Sequence, residues 1–126
     1  MLNILRSLLL IALLAAGPVL AAGQPYEQAT FDALQKQGRP ILVLIHADWC
    51  PVCRAQAPII DTLLKEKDFQ PITALRVDFD KQKPAVRYFR AVRQSTLIVF
   101  KGGKEVARSL GDTSEAGITA LLMNVQ

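Results

Sequence analysis

The chain is short of the residues that many functional classes depend on. Its 126 residues contain two cysteines, one histidine and one tryptophan. Two cysteines cannot staple a small disulfide-framework domain, and with a single histidine they leave a four-ligand zinc site unfilled. Fifteen basic and eleven acidic residues leave a net charge of +4, with no run of five or more like charges. That spread describes a solvated surface and argues against a nucleic-acid-binding arm. Internal repeats, long linkers and low-complexity stretches are also missing, and half the residues are hydrophobic. Disorder is thereby excluded, and the length leaves room for one domain only.

What is present begins with an address. Arg6 precedes an apolar run from Leu8 to Ala16, Gly17-Pro18 breaks it, and Val19-Leu20-Ala21 offers small residues for cleavage. This is the order of a secretory signal peptide, and the apolar run falls short of the ~20 residues of a membrane span. Residues 1–21 are therefore expected to be removed, with retention as an uncleaved anchor the lesser alternative. Residues 22–126 then form the domain, near +3 once Arg6 is gone. Export, as to a periplasm, would place any thiol in an oxidising compartment. Both cysteines nevertheless lie within one stretch of four residues, Cys50-Pro51-Val52-Cys53.

Periodicity predicts a helix over 26–37, ended by Gly38-Arg39-Pro40, and a strand over the unalternating apolar run Ile41–Ile45. Such a run suits the centre of a sheet covered on both faces. A helix follows from Pro51 to about Lys67, with Ile59, Ile60, Leu63 and Leu64 inward and a kink expected at Pro58. A strand over 72–78, a short helix over 84–90 and a strand over 96–100 come next. Lys101-Gly102-Gly103-Lys104 signals a hairpin to a strand over 105–109, and a last helix spans 113–124. Strands alternating with helices and closed by a hairpin imply an α/β fold, a central mixed β-sheet with helices on both faces.

The cysteine pair falls where a central strand gives way to a helix. There Cys50 is the N-cap and Cys53 lies one turn inside. Unpaired main-chain N–H groups and the helix dipole favour a thiolate at Cys50. An exposed thiolate can attack a disulfide, and Cys53 can then attack the Cys50 sulfur and free the substrate.

With these residues the chain resembles the thioredoxin superfamily across residues 26–125. The resemblance rests on Ala47-Asp48-Trp49-Cys50-Pro51-Val52-Cys53-Arg54, Pro58, Val77-Asp78, the segment Thr96–Gly103 and Gly111. It implies a thioredoxin fold and a thiol–disulfide oxidoreductase with Cys50 and Cys53 as catalytic residues and no organic cofactor or metal. Trp49, Pro51, Val52, Gln94 and Ser95 become candidate substrate contacts, with core packing the alternative for Trp49. Exported proteins carrying disulfides or thiols would be the clients of a monomer, and a membrane thiol relay its electron donor.

Three departures from the family pattern stand out. The family's cis-proline falls on Ser95, where a cis bond would cost about 2.5–4 kcal/mol, so a trans bond or an altered loop is expected. The Ser95 hydroxyl could then donate to the Cys50 thiolate. Leu44 and Ala74 stand where cytosolic thioredoxins carry a buried Asp and its Lys partner. Proton transfer at Cys53 is left to water, Asp48 or His46. Pro51 after the first cysteine resembles glutaredoxins and DsbA-type oxidants, but residues 79–84 leave no space for the helical insertion of the latter. Compactness favours a reductase or shuttle. Two alternatives come from other classes. One is a metal-handling module in which Cys50 and Cys53, with His46 or a second chain, hold Cu(I) or an iron–sulfur cluster. The other is a non-catalytic module that holds clients.

Overall fold

The computed structural model describes residues 22–126. The expected signal segment, residues 1–21, lies outside the described residues. The elements in chain order are β1 (Gln24–Pro25), α1 (Gln28–Lys36), β2 (Ile41–His46), α2 (Pro51–Leu63) and β3 (Thr73–Asp78). They continue with α3 (Lys83–Tyr88), β4 (Thr96–Lys101), β5 (Lys104–Leu110) and α4 (Glu115–Leu122), and a 3-10 turn over Met123–Val125. The sheet order is β1-β3-β2-β4-β5. Strands β1, β3 and β2 are parallel, while β4 and β5 pair antiparallel. This is a thioredoxin fold.

Strand β2 lies at the centre because its sequence allows no other place. All six of its residues are buried, and successive side chains point to opposite faces. Leu42 and Leu44 join Ile60 and Leu63 of α2 and Ile118 and Leu122 of α4 on one face. Ile41, Val43 and Ile45 join Phe31 of α1 and Val86 of α3 on the other. The hairpin between β4 and β5 turns on Gly102 (φ +59°) and Gly103 (φ +77°), the pair of left-handed residues that a two-residue turn of this hand requires.

Boundaries differ from the periodicity reading for local reasons. Helix α1 starts at Gln28 because the Tyr26 N–H donates to the Arg76 carbonyl, keeping the chain on the sheet edge. Helix α2 closes at Leu63, after which Lys65, Glu66 and Phe69 are held by turn bonds. Pro58 sits inside α2. Helix α4 starts after Ser114, whose hydroxyl accepts the Gly117 N–H at 3.0 Å.

Candidate functional site: a cysteine pair at a helix N-terminus

The end of β2 delivers the site. After His46 the chain turns through 47–49, and the Cys50 N–H donates to the Ala47 carbonyl at 3.1 Å. Cys50 is the N-cap of α2, with Pro51 in the first turn, where no N–H is needed. The Cys50 sulfur takes the place of a capping oxygen and accepts the Cys53 N–H at 3.2 Å. Main-chain donor and helix end both favour negative charge on that sulfur. The second thiol points back toward the Ile45 carbonyl, 3.9 Å away. Burial pushes Cys53 up to about 11, and its hydrogen bond with Cys50 adds to the rise. Main-chain groups of Ala47 and Ser95 act against it. Both thiols are free.

The cysteines are more covered than the sequence led us to expect. Cys50 is 2% exposed and Cys53 3%, because they pack with Ala47, Val52 and Phe79 in a small cluster of their own. Trp49, by contrast, is 57% exposed, which excludes core packing as its role. Its indole N–H donates to the Asp80 carboxylate at 2.6 Å. That bond fixes an exposed aromatic face beside Cys50.

Ser95 occupies the turn before β4. No cis peptide bond occurs among the described residues, and Ser95 adopts φ +64°. A left-handed non-glycine residue costs about 1–2 kcal/mol, and three hydrogen bonds hold it there. Its N–H donates to the Ile45 carbonyl at 2.7 Å, and its carbonyl accepts the Gly111 N–H at 3.0 Å. The third donor is the Gln56 side-chain amide, 3.3 Å from the same carbonyl. The Ser95 hydroxyl makes no hydrogen bond among the described residues, so the expected donation to Cys50 is not formed. The left-handed main chain decides where that side chain goes.

Gln56 went unnoticed in the sequence. It follows Cys53 by one turn on the buried stripe Cys53, Gln56, Ile60 and Leu63 of α2, and also donates to the Asp112 carbonyl at 2.9 Å. A polar residue on an apolar stripe was the available signal. The Trp49–Asp80 bond had none.

The remaining candidates sort simply. Leu44 is buried in the apolar layer under α2, so β2 offers no carboxylate there. His46 Nε2 lies 2.9 Å from the Asp48 carboxylate, and neither side chain is hydrogen-bonded to a cysteine. No group of three or more His, Cys, Asp or Glu side chains is gathered for a metal among the described residues. The metal-handling alternative therefore lacks a donor set among the described residues. Pro51 and the partly covered Val52 flank Cys50, and Gln94 lies next to Ser95 in the turn.

The family model for thioredoxin matches residues 24–124. The chain belongs to the thioredoxin family. Among relatives, it is 32% identical over 87 residues to the thioredoxin of Mycobacterium tuberculosis, covering 69% of this chain and 74% of that one. It is 30% identical over 95 residues to the bifunctional thioredoxin reductase/thioredoxin of Mycobacterium leprae. That match takes in 75% of this chain and spans only 20% of that longer protein. Among solved structures, Trxlp from Edwardsiella tarda superposes with a TM-score of 0.76 at 41% identity, over 78% of this chain and 95% of that one. Thioredoxins act on thiol and disulfide substrate proteins. This thioredoxin-family chain is a thiol–disulfide oxidoreductase.

Proposed function

We propose that the chain is an exported thiol–disulfide oxidoreductase that reduces or shuttles disulfides of exported clients, with Cys50 as nucleophile and Cys53 as resolving thiol. The observation that carries this reading is the Cys50 sulfur at the N-cap of α2, accepting the Cys53 N–H. In the reducing direction the Cys50 thiolate attacks one sulfur of a client disulfide, forming a mixed disulfide and releasing the first client thiolate to take a proton from water. Cys53 then loses its proton and attacks the Cys50 sulfur. A Cys50–Cys53 disulfide forms, and the second client thiol leaves. The client gains two electrons and the chain loses two. A membrane thiol relay restores the reduced pair.

Client docking falls to the surface around Cys50. Trp49 supplies an exposed aromatic face, Pro51 and Val52 the helix start, and Gln94 and Ser95 the facing turn. The main-chain N–H and C=O of Gln94 have no hydrogen-bond partner among the described residues, so an extended client segment can pair with them. Ser95 stands in for the family's cis-proline, and its inward-facing main-chain bonds give the turn a fixed course. Ala22 packs with Ala74 near the start of β3, whereas Cys50 follows the far end of β2, which runs parallel to β3. The first described residue thus lies at the end of the sheet opposite the cysteines.

The test is the equilibrium reduction potential of the mature chain against a glutathione series with thiol trapping. A value near about −270 mV supports a reductant, and one near about −120 mV makes it an oxidant. Cys50→Ser must abolish client reduction. Retained activity in that variant would end the reading.

A further inference from the structure

The turn that faces the cysteines is hydrogen-bonded to α2 through the Gln56 side-chain amide. Gln56 is 3% exposed, and a buried amide is tolerated only where its hydrogen bonds are made. Both carbonyls that its Nε2 reaches lie outside the helix and far along the chain. Ser95 is 39 residues away and Asp112 is 56. The Asp112 side chain is itself engaged, accepting from the N–H and the hydroxyl of Ser114 at 2.8 and 2.7 Å. Main-chain bonds to Ile45 and Gly111 hold Ser95 itself, and the Thr96 hydroxyl donates to the Arg93 carbonyl at 2.8 Å, but the rest of the approach is open. Val92 is 84% exposed, Arg93 is exposed, and the Gln94 main chain is unpaired among the described residues.

We propose that Gln56 is a positioning residue, whose buried amide ties the Ser95 and Asp112 carbonyls to α2 and so holds the turn ready for a client segment. Fixing Ser95 fixes the direction of the Gln94 N–H and C=O beside it. Ordering that turn before a client arrives removes an entropy cost from binding. A purely space-filling residue here would be apolar, like Ile60 and Leu63 on the same stripe. The turn also bears on the second thiol, since the Ser95 main chain is one of the groups opposing the rise of Cys53. The inference rests on the proposed docking role of Gln94 and Ser95.

The experiment compares the full chain with Gln56→Met, which keeps the length of the side chain and removes the donor. Steady-state reduction of a disulfide-linked peptide, with dithiothreitol as the electron donor that regenerates the reduced pair, and alkylation of Cys50 by iodoacetamide are measured on both. The expected result is a KM raised about five- to tenfold, with kcat within twofold and an unchanged alkylation rate, since only pre-ordering is lost. An unchanged KM in a folded variant overturns the proposal. So does a joint fall of kcat and alkylation rate, which would mark a general structural role. Should Gln56→Met fail to fold, hydrogen exchange in the parent protein decides. Both Gln56 side-chain amide protons must exchange far more slowly than those of exposed glutamines, and exchange at the exposed rate overturns the assignment. Failure of the underlying thiol chemistry is read separately, from Cys50→Ser.

Discussion

Restoring proline at position 95 should damage this protein. Ser95 lies at φ +64°, and a proline ring holds φ near −65°. Its N–H donates to the buried Ile45 carbonyl at 2.7 Å, a bond that proline cannot make. Leaving that acceptor without its main-chain donor costs about 1–3 kcal/mol. Rebuilding the turn around an incompatible φ adds roughly 1 kcal/mol or more. Ser95→Pro is therefore expected to lose about 2–4 kcal/mol, and at about 4–8 °C per kcal/mol the melting temperature should drop by some 10–30 °C. Ser95→Gly is the control. Glycine escapes the ~1–2 kcal/mol of left-handed strain and costs about 0.5–1 kcal/mol through the freedom of the unfolded chain, so that variant should match the parent or gain up to about 1.5 kcal/mol. Urea unfolding of the reduced proteins, supported by thermal melts, measures all three. A Ser95→Pro variant as stable as the parent would refute the reasoning, because the N–H bond and the left-handed turn would then not hold this part of the fold.

Three further predictions follow from separate observations. Because burial is the largest cause that raises the Cys53 thiol, release of a chromogenic thiol from a mixed disulfide on Cys50 should go on accelerating as pH rises past the ordinary cysteine value of 9.0. A profile that levels off near the ordinary cysteine value of 9.0 would contradict it. Arg108 bonds the Glu105 carboxylate at 2.6 and 3.1 Å and the Phe89 carbonyl at 2.9 Å, so Arg108→Ala should lose about 1–2 kcal/mol in urea titrations at pH 7. Arg108 holds Glu105 below its ordinary 4.5; that contribution is complete above this value and disappears as pH falls through the lowered one, so the gap between variant and parent should narrow in acid. Phe31, 1% exposed, has ring contacts with Tyr26, Tyr88, Phe89 and Phe100. Phe31→Ala should lose about 3–5 kcal/mol by the same titration, and a loss under 1 kcal/mol would show that this cluster does not anchor α1.

Local pattern in the sequence determined much of this protein. The unalternating run Ile41–Ile45 places β2 at the sheet centre, because five successive apolar side chains need cover on both faces. Pro51 after Cys50 puts the first thiol at a helix start, and the spacing to Cys53 puts the second one turn inside. The Gly102-Gly103 pair marks the hairpin, since two left-handed residues in succession suit little else. Each of these is set by neighbours within a few residues. The burial of Cys50, the Trp49–Asp80 bond, the left-handed Ser95 and the Gln56 bridge were decided only when the chain closed. Their partners come from distant parts of the chain, Asp80 31 residues from Trp49 and Asp112 56 from Gln56. Periodicity reports which face of an element is apolar, not which carbonyl of another element will meet a given amide. That meeting is set by the crossing of β2 between β3 and β4, which brings Ile45, Ser95 and the N-terminus of α2 to one end of the sheet.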